Sequence, residues 1–182
     1  MYPDTDYDVI VVGGGPAGST AGALLADTGR KVLVIDREKF PRFRVGESLM
    51  PATYWTLERL GVLDKMKCSN FPNKHSVQFF AKNGDPMAPY YFSRVDQHES
   101  SQTWQVNRLD FDHMLLKNAA GKNADVFEEV RVHDVLFDGD RAFGIRAEFK
   151  NGVKKAITAK VIVDATGQSG IIAKKLKLRR TD

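Results

Sequence analysis

The chain has 182 residues, 42% of them hydrophobic, a net charge of +4 and a pI near 9.1. That is enough apolar material for one packed domain with a small appendage, and it excludes a disordered chain. A single cysteine, Cys68, excludes an internal disulfide and a multi-cysteine metal site, and it suits a reducing cytoplasm.

The first predicted unit runs from Tyr7 to Asp36. Val9–Val12 is an apolar run ending at Gly13. Gly13-x-Gly15-x-x-Gly18 follows, then a helical segment to Thr28, then a second apolar run, Val32–Ile35, closed by Asp36. Strand, glycine turn, helix, strand and acid form a βαβ unit with the dinucleotide fingerprint. Gly13 permits a tight turn, Gly15 lets the backbone approach a pyrophosphate, and Gly18 lets the helix pack closely on the sheet. Pro16 suits a first helical turn, where its missing N–H costs nothing. Asp36 lies 18 residues after Gly18, near the roughly 20 expected for an acid that accepts ribose hydroxyls. An acid rather than an arginine there argues for FAD or NAD over NADP. The rival reading is a glycine-rich turn in an ordinary α/β protein.

Residues 37–51 are charged and punctuated by proline, which predicts a long functional loop. A helix is expected over Ala52–Leu60, stopping at Gly61. Residues 68–108 read as strands and loops. One strand is expected at Val77, Phe79 and Phe80, a turn at Asn83–Pro86, a returning strand at Tyr90–Phe92 and another strand at Thr103–Val106. Leu109–Ala119 predicts a helix ending at Gly121. Asp125–Phe127, Val130–Phe137, Ala142–Phe149 and Lys154–Thr158 predict an antiparallel meander, with turns at Asp138–Asp140 and Asn151–Gly152. Val161–Val163 reads as a third buried strand. It runs into Asp164-Ala165-Thr166-Gly167, and a short helix follows at Ile171–Leu176. Strands 7–12, 31–35 and 160–163 are expected side by side, with an excursion inserted between them.

Four segments combine: the Gly13–Asp36 fingerprint, Phe40-Pro41-Arg42-Phe43-Arg44-Val45-Gly46-Glu47-Ser48-Leu49-Met50-Pro51, Trp104–Arg108 with Phe111-Asp112, and Val163–Gly167. Together they resemble the FAD-dependent oxidoreductases of the para-hydroxybenzoate hydroxylase-like fold, nearest its flavin-dependent halogenase and geranylgeranyl reductase branch. The resemblance runs from Asp6 to Leu178 and covers only the N-terminal part of such proteins. It implies an α/β, three-layer Rossmann-like FAD-binding core with an antiparallel β-meander and a partial inserted substrate-side region. Residues 1–67 and 109–182 would form the two FAD-binding segments, and 68–108 the insertion.

The resemblance also implies roles. Gly13, Gly15, Pro16, Ala17 and Gly18 would lie under the FAD pyrophosphate, with Asp36 and Arg37 at the adenosine end. Arg42, Val45, Gly46, Glu47 and Ser48 would form the loop beside the flavin, although Arg42, Arg44 and Glu47 also fit a surface ion cluster. Arg108 would reach the ribityl or phosphate region. Arg131 or Val132 would offer backbone groups to the adenine, and Asp164 and Gly167 would form a second turn near FAD. In halogenases a lysine after the Gly-Glu-Ser loop handles hypochlorous acid. Lys74 holds a comparable position and is the candidate catalytic residue, against a solvated lysine before a strand.

Halogenases also carry a Trp-x-Trp-x-Ile-Pro motif and a third FAD segment, a Gly-Asp near the flavin ring in their C-terminal half, and this chain has neither segment. It is therefore expected to be a fragment. The parent's chemistry would be reduction, hydroxylation or halogenation of a small molecule, with a flavin reductase or NAD(P)H as electron source. A non-catalytic nucleotide-binding module is the alternative from another class. His75, His98, His113 and His133 show no metal spacing. Cys68 reads as a small buried hydrophobe. Lys174, Lys175, Lys177, Arg179 and Arg180 read as a solvated face, with no nucleic-acid motif beside them. The acidic N-terminus is not a signal peptide, and no apolar run reaches the ~20 residues of a membrane span.

Overall fold

A computed structural model of the chain describes Pro3 and residues 6–178. In chain order the elements are β1 (Asp6–Val12), α1 (Pro16–Ala26), β2 (Val32–Ile35), α2 (Thr53–Arg59), α3 (Leu63–Lys67), β3 (Asn73–Lys74), β4 (Ser76–Val77), β5 (Tyr90–Tyr91), β6 (Thr103–Trp104), α4 (Arg108–Gly121), β7 (Asp125–Phe127), β8 (Val130–Asp138), β9 (Arg141–Phe149), β10 (Lys154–Asp164) and α5 (Ile171–Lys175). They fall into two units, Met1–Phe43 with Leu109–Asp182, and Arg44–Arg108.

The first unit is α/β with a Rossmann-like core. Its six-stranded sheet has the order β7-β2-β1-β10-β9-β8. β7, β2, β1 and β10 pair in parallel, while β10, β9 and β8 pair antiparallel. β1 is flanked on both sides, and Val9–Val12 is buried throughout, so its apolar run is continuous rather than alternating. Helix α1 buries small residues, Gly18, Gly22, Ala23 and Ala26. A Cβ on Gly22 would stand 2.5 Å from Val34 Cγ2, so only glycine allows this closeness to β2. One core cluster runs across the sheet and includes Ile10, Leu33, Val135, Ile145 and Ile157.

Three expectations change in this unit, the first being burial of Val161–Val163: Val161 is exposed, and Ile162 and Val163 are half-buried. Lys154–Thr158 and Val161–Val163 are one strand, β10, whose first half pairs with β9 and second half with β1. Lys160 interrupts the apolar pattern but not the strand, because its exposed ammonium pairs with Asp8 Oδ1 at 2.6 Å. β7 belongs to the parallel half, beside β2, and not to the meander. The cause is topological: α4 precedes β7 and provides the crossover that a parallel neighbour requires.

The second unit has small ladders. β3 pairs with β6, and β4 with β5, each over two residues. The strand expected at Val77–Phe80 stops at Val77. Phe79 and Phe80 continue as an irregular arm closed by Met87 N–H donating to the Phe79 carbonyl at 2.8 Å. The Gly-Glu-Ser loop joins the same unit through backbone bonds. Val106 N–H donates to the Glu47 carbonyl at 2.7 Å, and Leu49 N–H to the Trp104 carbonyl at 3.0 Å. This compact unit begins at Arg44 and ends at Arg108. Helix α3, not anticipated, buries Leu63 and Met66 and leaves its C-cap, Cys68, exposed. The expected burial of Cys68 is therefore wrong, since the helix turns its apolar face elsewhere.

Among the described residues no helix is long and apolar enough to cross a membrane. Lys174 and Lys177 are exposed and Lys175 pairs with Asp134. Arg179 and Arg180 lie outside the described residues.

Candidate functional site

In the first unit the turn after β1 is set by steric limits. Gly13 has φ +110°, and a Cβ there would stand 2.4 Å from the Ala165 carbonyl oxygen. A Cβ on Gly18 would stand 1.7 Å from the Gly13 carbonyl oxygen. Both positions are closed to any side chain. Gly15 differs, since its absent Cβ meets only Arg42 Nη2, at 3.4 Å. Gly15 caps α1 without a side-chain hydrogen bond, Pro16 follows, and no acid occupies the first turn. The helix start thus offers its N–H groups and partial positive charge to an anion from outside.

Asp36 closes β2 beside this turn. Its Oδ2 accepts from Gly14 N–H at 2.7 Å and its Oδ1 from Glu38 N–H at 2.9 Å. It is buried, and each oxygen keeps a further lone pair for a ribose hydroxyl. Arg42, half-buried, lies against it, with Nη2 3.7 Å from Asp36 Oδ2. Arg37 and Arg131 line one groove of about 650 Å³ with Glu38, Lys39, Glu129 and His133. Val132 pairs with Ala147 of β9, and the ladder slips immediately after it.

The second turn, after β10, lies beside the first: Ala165 N–H donates to the Val12 carbonyl at 2.9 Å. Asp164 is absorbed in its own turn. Its Oδ1 accepts from Thr166 N–H (3.1 Å) and Oγ1 (2.6 Å), and its Oδ2 from Ile172 N–H (2.8 Å). Gly167, at φ +61°, has open space where a Cβ would be.

The second unit carries the remaining candidates. Arg108 Nη1 donates to the carbonyls of Val45 at 2.9 Å and Gly46 at 3.3 Å. Gly46 has φ +111°, a backbone that a side chain resists. Arg108 therefore holds the loop from behind. Lys74 Nζ donates to Ser48 Oγ at 2.6 Å and to the Leu49 carbonyl at 3.1 Å, and it lies 5.3 Å from the Phe92 ring centre. The candidate lysine and the Gly-Glu-Ser loop are one structure. Among the described residues no group of His, Cys, Asp or Glu is placed to hold a metal.

The chain matches the FAD binding domain family over residues 6–182. It belongs to that family. This FAD-binding domain is 36% identical over 196 aligned residues to a 1H-pyrrole-2-carbonyl peptidyl-carrier-protein chlorinase from Pseudomonas fluorescens, covering 98% of this chain and 43% of that protein. Among solved structures it resembles a myxobacterial chondrochloren halogenase, described as FAD-dependent, at 42% identity and TM-score 0.83, covering 89% of this chain and 37% of that one. It also resembles a flavoprotein/dehydrogenase from Cytophaga hutchinsonii at 37% identity and TM-score 0.85, covering 96% of this chain and 43% of that one. The FAD-binding domain thus spans less than half the length of these relatives, and it is the N-terminal, FAD-binding portion of a halogenase-like flavoprotein.

The residues fit that cofactor. The glycine cradle is closed to side chains, the start of α1 is uncapped, and Gly15 opens outward. One buried residue of the FAD-binding domain has no role in the sequence reading. Asp112 of α4 is fully buried and lies 3.1 Å from Arg42 Nη1. Its signal in the sequence is an acid within the apolar stripe of Phe111, Leu115, Leu116 and Ala119.

Proposed function

We propose that the full-length protein is an FAD-dependent halogenase acting on an electron-rich small molecule, with Lys74 as its catalytic residue. The observation that carries this reading is the Lys74 ammonium bound to Ser48 Oγ and the Leu49 carbonyl of the Gly-Glu-Ser loop. Its third hydrogen-bond contact is Met50 Sδ at 4.0 Å, a weak acceptor that a hypohalous acid would displace to take a hydrogen bond from the ammonium and have its halogen polarised. The halogenase names of the relatives support the same reading. When bound, FAD supplies hydride acceptance and, once reduced, reaction with oxygen.

The chain's own residues have separate tasks. Gly13, Gly15 and Gly18, with Pro16 and Ala17 at the start of α1, hold the diphosphate. Asp36 takes the ribose, and Arg37 with the backbone of Val132 receives the adenosine end. Arg108 keeps Val45, Gly46 and Glu47 in shape, while Asp164 and Gly167 form the second turn. In this scheme residues 1–67 and 109–182 serve the cofactor and 68–108 the substrate. A flavin reductase or NAD(P)H delivers the electrons, and the single cysteine suits the cytoplasm.

The test uses the full-length protein with a flavin reductase, NADH, oxygen, chloride or bromide, and a panel of phenols, indoles and pyrroles. Halide-dependent mass shifts are expected. Lys74→Ala should remove them by about 100-fold or more while flavin retention and peroxide release persist. Halogenation that survives Lys74→Ala excludes Lys74 from the chemistry. Reduction of a substrate without any halide requirement favours the second reading, a dehydrogenase or reductase, for which the Cytophaga hutchinsonii likeness speaks.

A further inference from the structure

Arg42 ends the charged loop after β2 within the first unit. Its side chain is 10% exposed, and its guanidinium lies 4.4 Å from the centre of the Phe40 ring. Three carboxylates surround it. Asp112 Oδ2 is 3.1 Å from Nη1, Asp36 Oδ2 is 3.7 Å from Nη2, and Glu38 Oε2 is 3.6 Å from Nε. Nε is buried without a hydrogen-bond partner. Nη2 also stands 3.4 Å from the point where a Cβ on Gly15 would sit.

We propose that Asp112 is a positioning residue for the cofactor's diphosphate: it anchors Arg42 Nη1, and the guanidinium then presents Nη2 at the open face of Gly15.

The reasons are geometric. Asp112 is 0% exposed on the apolar face of α4, where a carboxylate persists only if it is paired. The guanidinium is planar and rigid, so fixing one nitrogen fixes the directions of the other two. Asp36 is held independently by the Gly14 and Glu38 N–H groups, so it does not depend on Arg42 for its own place. Asp112 comes from a different element and pulls from a different side. Without it, Asp36 and Glu38 draw the guanidinium toward the ribose acid and away from Gly15. A diphosphate at the start of α1 would add charge that Nη2 is placed to meet, and a nucleoside without phosphates would not use it. Arg42 thereby belongs to the phosphate end of the site, rather than to the loop beside the flavin.

The test compares FAD, ADP and adenosine binding to flavin-stripped full-length protein by titration calorimetry. Asp112→Asn should weaken FAD and ADP by about 10-fold or more, with adenosine changed by less than about 2-fold. Equal weakening of all three overturns the proposal, because it marks a purely structural role. In an Arg42→Gln background, Asp112→Asn should change ADP affinity by less than about 2-fold, and an undiminished effect overturns it as well. If Asp112→Asn does not fold, Asp112→Glu retains the charge and displaces the guanidinium. A selective loss of ADP over adenosine is again expected, and a wild-type ratio of the two affinities overturns the proposal.

Discussion

The two units solve the burial problem differently. In the first, β1, β2 and β10 sit in the interior of a six-stranded sheet, and Ile10, Leu33 and Ile145 are wholly inaccessible. In the second, the ladders are two residues long, and Trp55, Phe79, Phe80, Tyr90 and Val95 stay largely exposed. Yet the second unit has its own order, built from polar ties: Arg108 to the Val45 carbonyl, Lys74 to Ser48, and Glu99 to Tyr54 and Lys67. Close packing fixes a backbone surface for a cofactor. Polar ties fix individual side chains while leaving apolar surface open. The contrast matches the roles proposed for them, a rigid cradle and a reactive loop.

The largest test of the cradle is Gly18. Its Cβ would meet the Gly13 carbonyl at 1.7 Å, a backbone atom that cannot turn aside. Gly18→Ala should cost about 3 kcal/mol or more and abolish flavin retention. Gly29 is the control, with φ +79° and no atom within 4 Å of its Cβ position. Gly29→Ala should cost only about 1 kcal/mol, the price of a left-handed backbone, and leave flavin bound. Urea unfolding and flavin absorbance measure both. Equal losses at the two positions would remove the steric account of the cradle.

A smaller effect separates the two kinds of apolar residue. Ile145 is 0% exposed and Phe80 is 66% exposed. Ile145→Ala should cost about 3 kcal/mol, from lost transfer energy plus a cavity. Phe80→Ala should stay within about 0.5 kcal/mol, although phenylalanine is the larger side chain. Chemical denaturation decides the matter. A large loss at Phe80 would show that the irregular arm contributes to stability after all.

The same contrast explains what was legible in the sequence. The fingerprint from Val9 to Asp36 could be read because the tight approach of Gly18 to the Gly13 carbonyl lies within the turn itself and each strand is a continuous apolar run. β10 was split in two because Lys160 looks like a break, and only its pairing with Asp8 shows how a charged residue fits a mid-strand position. The strand expected at Val77–Phe80 failed because a short ladder is decided by its partner, and β5 offers only two residues to pair. Lys74 was identified from its place after the Gly-Glu-Ser loop, but its bond to Ser48 spans 26 positions and no local pattern encodes it. Asp112 enters the sequence reading only within the Phe111-Asp112 segment, without a role of its own. Its partner, Arg42, lies 70 residues away.

The finest test concerns the ties of the second unit and uses pH. Tyr54 has a buried ring, and its hydroxyl donates to Glu99 Oε1, which also accepts from Lys67 Nζ at 3.1 Å. The Tyr54 bond, followed by the Lys67 bond, holds the Glu99 carboxyl below its ordinary 4.5. The same bond pushes Tyr54 from 10.0 up to about 12. Below pH 4.5 the unfolded chain binds a proton at Glu99 before the folded one does, so this contribution is present above 4.5 and fades as pH falls through the lower folded value. Tyr54 works in the opposite sense. Its contribution is complete below pH 10 and is lost as pH rises toward about 12. Tyr54→Phe should therefore flatten both limbs of the melting-temperature profile, the acid limb incompletely because Lys67 remains. An acid limb identical to wild type would show that Lys67 alone holds Glu99, and would confine the polar order of this unit to the loop around Ser48.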